Sequence, residues 1–84
     1  MAPVIALAAA CTPDAPLASR TDAETAARAC GASLAGYDAR QAHQGRIRLY
    51  LKPALPGIAR DHARCVGAFL DRRGKRADVI APGR

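Results

Sequence analysis

Two runs of basic side chains are the residues in this sequence best suited to bind a ligand. In the first, RIRLYLK at residues 46–52, every second side chain is basic or aromatic, which suits it to hold phosphates and to stack on a base or a sugar. The second, RRGKR at residues 72–76, is a compact basic cluster. We expect both to contact an anionic ligand. The candidates are Arg46, Arg48, Tyr50 and Lys52 in the first run, and Arg72, Arg73, Lys75 and Arg76 in the second.

Each run also has an ordinary structural explanation. A charged strand face is commonly solvated, or it protects a sheet edge from pairing with another chain. A basic cluster near the end of a helix offsets the negative end of the helix dipole. If Arg46 and Arg48 bind phosphates, affinity should fall steeply with salt. Salt dependence therefore separates binding from these alternatives.

The sequence offers little for catalysis or metal binding. It has no serine, histidine and aspartate that can be placed in one site, no paired carboxylates at useful spacing and no glycine-rich phosphate loop. Neither His43 nor His62 completes a set of four metal ligands. We expect no enzyme activity, no metal and no cofactor. We expect His62 to be a half-buried histidine of a helix.

Charge is distributed unevenly along the 84 residues. The net charge is +6, and residues 39–84 contain eleven Lys and Arg against three Asp, whereas residues 12–38 contain two Arg against four acids. The basic second part predicts an anionic neighbour such as nucleic acid, phospholipid headgroups or an acidic polymer. Genome composition is the alternative explanation for the many arginines and alanines. A chain of 84 residues predicts one small domain, and because half of its hydrophobic residues are alanine, we expect a thin core.

The first eleven residues have the pattern of a processing segment. Residues 3–10 are uncharged and apolar, with the length of a signal-peptide core, and are too short to span a bilayer as a helix. The stretch LAAAC at residues 7–11 resembles the lipobox of bacterial lipoproteins, in which small residues precede an acylated cysteine. The resemblance implies a signal peptide over residues 1–10 and lipid attachment at Cys11. Ala8 stands where the family prefers leucine.

The residues after Cys11 fit the same interpretation. Residues 12–19, TPDAPLAS, contain two prolines and predict an extended tether, so we assign residues 11–20 to the lipidated cysteine and tether and residues 21–84 to a small α/β domain. Thr12 is not the aspartate that signals inner-membrane retention in enteric-type lipoproteins. The resemblance therefore favours the periplasmic side of the outer membrane.

Assigning Cys11 to lipid leaves Cys30 and Cys65 as an even pair. In an oxidising periplasm we expect them to form a disulfide, which would close a loop of about 35 residues and stabilise the fold by about 4 kcal/mol. The alternative is two buried free thiols in a cytosolic protein.

Four elements are predicted to position these residues. TDAE at residues 21–24 has the form of a capping box and begins a helix in which Ala23, Ala27, Cys30 and Leu34 share one face. Gly36 ends that helix, and a polar loop leads to RIRLYLK, which alternates as a half-buried strand does.

A second helix and strand follow. Residues 58–73 predict a helix with Gly74 as its C-cap and an apolar face formed by Ile58, His62, Cys65, Val66 and Phe69. ADVIA at residues 77–81 predicts a strand parallel to the first, reached by a right-handed crossover. The expected fold is α+β or α/β: a two-layer α-β-α-β domain with two helices packed on a short sheet and a disulfide between the helices.

Residues 58–83, IARDHARCVGAFLDRRGKRADVIAPG, resemble the C-terminal part of the OmpA-like peptidoglycan-binding domain. The resemblance implies an α/β order and a role at the cell wall. In that family a helix arginine and an aspartate after the preceding strand hold the diaminopimelate of the peptide stem. Here His62 takes the place of the arginine, and LKPALPG at residues 51–57 has no aspartate. The positions in register are Ala63, Val66, Phe69, Leu70, Gly74, Val79 and Gly83.

These departures imply a scaffold without the usual ligand pocket, used for protein contacts or for a charge-based contact with the wall. A small envelope lipoprotein of the pilus-assembly or secretion type would have a similar α/β pattern. We therefore expect a lipid-anchored structural or interaction protein of the bacterial envelope that contacts peptidoglycan or another envelope protein. The alternative is a small basic cytosolic module that binds nucleic acid.

Overall fold

The computed structural model describes residues 16–83 as two helices packed on a three-stranded mixed sheet. The sheet order is β1-β2-β3, with β1 antiparallel to β2 and β2 parallel to β3. This arrangement confirms the α+β class with two helices on a short sheet. The elements are α1 (Arg20–Ala29), β1 (Leu34–Asp38), a short 3-10 helix (Ala42–Gln44), β2 (Arg48–Leu51), α2 (Pro56–Arg72) and β3 (Asp78–Ile80).

Helix α1 ends earlier than its spacing predicts, and it is followed by a strand that the sequence pattern does not predict. The spacing predicts a helix through Leu34 to Gly36, but α1 ends at Ala29 and Leu34 begins β1. Gly31 adopts a φ of 70°, and the amide of Ala32 donates to the carbonyl of Ala27. This is the pattern of a Schellman motif, which ends a helix at a left-handed glycine. The element order is therefore α-β-β-α-β.

The start of α1 is also displaced from the predicted capping box. Ser19 is the N-cap, its side chain accepts from the amide of Asp22, and the Asp22 carboxylate accepts from the amide of Ser19. Thr21, the predicted cap, lies inside the helix. Just before this cap, the amide of Ala18 donates to the carbonyl of Arg76.

The predicted tether over residues 11–20 overlaps the folded domain. Ala18 is buried at 1% exposure, Leu17 forms a parallel bridge with Arg76, and Arg20 begins α1. The domain therefore begins by residue 16 and not at residue 21. The predicted signal peptide, the lipid attachment at Cys11 and the tether over residues 11–15 lie outside the described residues.

The core is formed by alternate residues of β2 and by residues four positions apart on α2. Leu49 and Leu51 point from the sheet toward Val66 and Leu70 of the helix, and all four are almost fully buried. Helix α1 contributes only alanines to this core, so its backbone can pack close to the sheet. The buried alanines of α1 are Ala23, Ala26 and Ala27.

Two residues of the predicted α2 face are exposed. Ile58 is 47% exposed, and Cys65 is also exposed. Val66 and Leu70 set the buried face, and Ala59 lies seven residues before Val66 on that same face, at 3% exposure. Ile58 is therefore turned about 100° away from it. The predicted glycine stop is confirmed, because Gly74 has a φ of 69° directly after the cap residue Arg73.

The predicted disulfide between Cys30 and Cys65 is present, with the two Sγ atoms 2.03 Å apart and the Cα atoms 5.8 Å apart. It joins the end of α1 to the middle of α2. Cys30 is half-buried, and the bridge lies at the edge of the helix layer.

Neither of the two helices within residues 16–83 combines the length and the hydropathy that a membrane span requires.

Candidate functional site

The sheet has one face away from the helices, which we call the outer sheet face. Because Leu49 and Leu51 point into the core, Arg48 and Tyr50 lie on the opposite face. Register pairing places their neighbours in β1 and β3 beside them. The outer sheet face consists of Gly36, Asp38, Arg48, Tyr50, Asp78 and Ile80.

Acidic residues flank the arginine of this face. Arg48 pairs in register with Asp38 on β1 and with Asp78 on β3. Arg48 therefore shares its face of the sheet with an aspartate on each neighbouring strand, and directly opposed residues of unlike charge stabilise a sheet. The alternation within β2 alone predicts a basic face. The observed face contains both acidic and basic residues.

Asp38 is held by a second arginine. Arg40 donates from Nε and Nη2 to the two carboxylate oxygens at 3.0 and 2.9 Å, and its amide donates to Oδ1 at 3.0 Å. These hydrogen bonds lower the pKa of Asp38 to about 2, with a smaller effect from the charge of Arg48. The ionised carboxylate of Asp38 therefore stabilises the turn after β1, which is a structural role.

Tyr50 provides the apolar part of the outer sheet face. Its ring lies across Gly36, where an added Cβ would be 3.7 Å from Cδ2 of the ring. On the other side it pairs in register with Ile80, which is 37% exposed. A half-buried aromatic ring beside an exposed aliphatic side chain, bordered by charges, is suited to contact another protein.

The other predicted members of the basic strand lie elsewhere. Lys52 is exposed beyond the end of β2, where its amide donates to the carbonyl of Ser33. Arg46 precedes β2 and lines a cleft of about 290 Å³ at the end of the sheet where β2 and β3 begin. The structure therefore brings Arg48 and Tyr50 together but separates Arg46 and Lys52 from them.

That cleft combines residues that are thirty positions apart. Arg46 and Arg76 line it together with the carboxylates of Asp71 and Asp78. Two guanidinium groups and two carboxylates give no net charge, so the cleft does not select for a polyanion. Neither aspartate is among the contacts predicted from the sequence, because only the fold brings residues 71 and 78 to residue 46. The remaining lining is Leu17, Gly45, Ile47 and Ala77.

The second predicted run stays together at the end of α2, and we call Arg72, Arg73, Lys75 and Arg76 the basic cluster. Arg72 and Arg73 are exposed. The Arg73 guanidinium lies 4.3 Å from the centroid of the Phe69 ring. Lys75 Nζ is 3.8 Å from a carboxylate oxygen of Asp22.

Hydrogen bonds with Ser19 are the main cause of the lowered pKa of Asp22, and Lys75 and Arg73 lower it further. The charge of Asp22 is therefore used to cap α1 and to face one member of the basic cluster. Even with Asp22, Asp71 and Asp78 counted against the basic cluster, this corner of the molecule has an excess of positive charge.

A second cleft, of about 440 Å³, lies between the end of α1 and the start of β1. Glu24, Arg28 and Ser33 are its polar residues.

His62 is half-buried on α2, as expected. No three His, Cys, Asp or Glu side chains within residues 16–83 are grouped to hold a metal ion.

Comparison with known proteins adds no relative. No protein-family model, no curated protein and no solved structure matches the chain.

Proposed function

We propose that this protein is a small lipid-anchored domain of the bacterial cell envelope that works by binding a partner and not by catalysis. The observation that carries the proposal is the disulfide between Cys30 and Cys65. Disulfides persist in oxidising compartments such as the periplasm and are rare in the cytosol. Since Cys65 is exposed, cytosolic reductants would reach this bridge.

The remaining cysteine supports anchoring. With Cys30 and Cys65 joined, Cys11 is the odd thiol, and it follows an apolar run that suits a signal peptide. Acylation of Cys11 would place the domain at a membrane surface. Since the fold begins by residue 16, the tether would be short.

The carboxylates support binding over catalysis. The lowered pKa values of Asp22 and Asp38 are each explained by a structural partner, Ser19 in the helix cap and Arg40 in the turn after β1. Neither carboxylate is held protonated, as a general acid near neutral pH would have to be. The surface suited to a partner is the outer sheet face, where Tyr50 and Ile80 lie among charged residues.

The partner is either another envelope protein or the peptidoglycan of the cell wall. Sedimentation with purified wall sacculi separates the two: wild-type protein and a Tyr50→Ala variant should both remain in the supernatant if the partner is a protein. A wall partner would carry the wild-type protein into the pellet.

The proposal is tested by the intact mass of the protein made from its full reading frame in a Gram-negative host. Membrane and soluble fractions are measured without reduction, with a Cys11→Ser variant as the control. We expect a membrane species that starts at Cys11, carries acyl groups and lacks the two hydrogens lost on forming the disulfide. The Cys11→Ser variant should lack the acyl mass. An unprocessed soluble species with three reactive thiols would overturn the proposal, and salt-dependent nucleic-acid binding would then be tested.

A further inference from the structure

Residue 16, the first residue that the structure describes, lies beside the basic cluster. The amide of Arg76 donates to the carbonyl of Pro16 at 2.9 Å, and the amide of Ala18 donates to the carbonyl of Arg76 at 2.9 Å. Leu17 and Arg76 form a parallel bridge between these two bonds. Residue 16 is thus tied by main-chain hydrogen bonds to the last residue of the cluster.

The distance from Cys11 to this point is short. Five residues of fully extended chain span at most about 18 Å. A lipid on Cys11 would therefore hold Pro16, and with it Arg76, close to the membrane surface. The domain cannot move far from the lipid headgroups without breaking the main-chain bonds between residues 16–18 and Arg76.

The charge of the cluster suits an anionic surface. Arg72 and Arg73 are exposed, and Lys75 and Arg76 follow within three residues. Three acids lie close by: Asp22, which faces Lys75, Asp71, which is exposed, and Asp78, which lines a cleft with Arg46 and Arg76. The four cations of the cluster together with Arg46, against three acids, leave an excess of positive charge at the corner where residue 16 lies.

We propose that the basic cluster docks on the anionic phospholipid headgroups of the membrane that holds the lipid on Cys11. This inference rests on the proposed function, because the lipid supplies the proximity. The headgroup contact is the second attachment, and the two together fix the orientation of the domain. Strand β3 begins just after Arg76 and runs away from the cluster, so its end at Ile80 faces away from the membrane and remains open to a partner.

The headgroup contact is measured on protein that has no acyl chains on residue 11. The oxidised full-length chain with Cys11→Ser is sedimented with vesicles of phosphatidylcholine alone and of phosphatidylcholine mixed with phosphatidylglycerol. We expect binding to increase with phosphatidylglycerol and to weaken with added salt. Binding to pure phosphatidylcholine measures any contribution from the apolar residues 3–10.

Matched variants on one helix locate the contact. Arg72→Gln with Arg73→Gln should lower partitioning onto the anionic vesicles roughly thirtyfold, since each cation at the surface contributes about fivefold. Arg60→Gln with Arg64→Gln removes the same charge from exposed positions of α2 about 16 Å nearer its start, and should change partitioning less than threefold. Because Arg73 contacts Phe69, Arg72→Gln alone, compared with Arg64→Gln alone, checks the result at about fivefold.

Three results would overturn the inference. Equal losses for the two pairs of variants would show a general attraction of a basic protein and no docking by the cluster. Absence of binding to the anionic vesicles would rule out the headgroup contact. Binding to duplex DNA without binding to vesicles would assign the cluster to nucleic acid. The acyl mass on wild-type Cys11 is measured separately, so the proposed function can stand when this inference fails.

Discussion

The hydroxyl of Tyr37 donates a 2.7 Å hydrogen bond to the main-chain carbonyl of Ala18, nineteen residues earlier in the chain. Ala18 is buried, and its amide is bonded to Arg76. The Arg20 guanidinium lies 5.6 Å from the centroid of the Tyr37 ring. Strand β1 therefore helps to hold the segment at residues 16–19 that leads into α1.

Replacing Tyr37 with phenylalanine tests this link. The variant loses the hydrogen bond and leaves a buried carbonyl without it, which should lower the free energy of unfolding by about 1 kcal/mol. For a domain of this size the melting temperature should fall by about 5 °C. Tyr50→Phe is the control, because within residues 16–83 its hydroxyl makes no hydrogen bond, and it should change stability by less than about 0.5 kcal/mol. Equal losses for the two variants would contradict the role of Tyr37.

The disulfide should provide much of the stability of this domain. Breaking the bond between Cys30 and Cys65, which are 35 residues apart, should lower the free energy of unfolding by about 4 kcal/mol. Helix α1 contributes only alanines to the core, so its own packing offers little to offset that loss. Urea unfolding of Cys30→Ala with Cys65→Ala, beside Cys11→Ser as the thiol control, measures the difference. A double variant as stable as the control would show that the packing alone holds the helices together.

The sequence pattern predicts β2 and α2 because each has one clear period. In β2 the apolar residues alternate, and in α2 the residues His62, Cys65, Val66 and Phe69 recur at helical spacing. Strand β3 is predicted from the short apolar run ADVIA. The pattern fails at β1 because Leu34 continues the helical spacing of Ala27 and Cys30, and Ala35 and Gly36 are poor strand formers. Gly31 was the signal that the helix stops, since a left-handed glycine typically ends one.

The candidate site is harder to predict from sequence than the fold. The basic cluster is continuous in the chain, and its members therefore stay together. Arg48 was predicted to lie on a basic face, but its cross-strand neighbours Asp38 and Asp78 come from strands whose register depends on the whole sheet. The pairing of Arg46 with Arg76 in one cleft likewise depends on parallel strands thirty residues apart. Spacing along one strand contains no information about such neighbours.

The true start of α1 can be tested by two alanine substitutions. Ser19→Ala removes the side chain that accepts from the amide of Asp22, and should cost about 1 kcal/mol of stability. Thr21→Ala replaces a residue inside the helix with a better helix former and should be neutral or slightly stabilising. Thermal unfolding of both variants decides between the two capping boxes. A larger loss for Thr21→Ala would place the cap where the sequence motif suggested.

The pKa of Asp38 gives a test of the turn after β1. The side-chain hydrogen bonds from Arg40 are the largest cause of its lowering from 3.8 to about 2. Because the folded-state pKa is below the unfolded one, the carboxylate stabilises the fold above about pH 4, and this contribution is lost as the pH falls toward 2.

Arg40→Gln should raise the pKa of Asp38 toward 3.8, because the variant loses the Nε and Nη2 donors and the positive charge. Arg48→Gln is the matched control, because it also removes one arginine next to Asp38, on the neighbouring strand. The charge of Arg48 is the smallest cause of the lowered pKa, so this variant should shift the midpoint less. Carbon-detected NMR titration of the Asp38 carboxyl measures both midpoints. If Arg48→Gln moved the midpoint further than Arg40→Gln, the main partner of the Asp38 carboxylate would be Arg48 across the strands and not Arg40 in the turn.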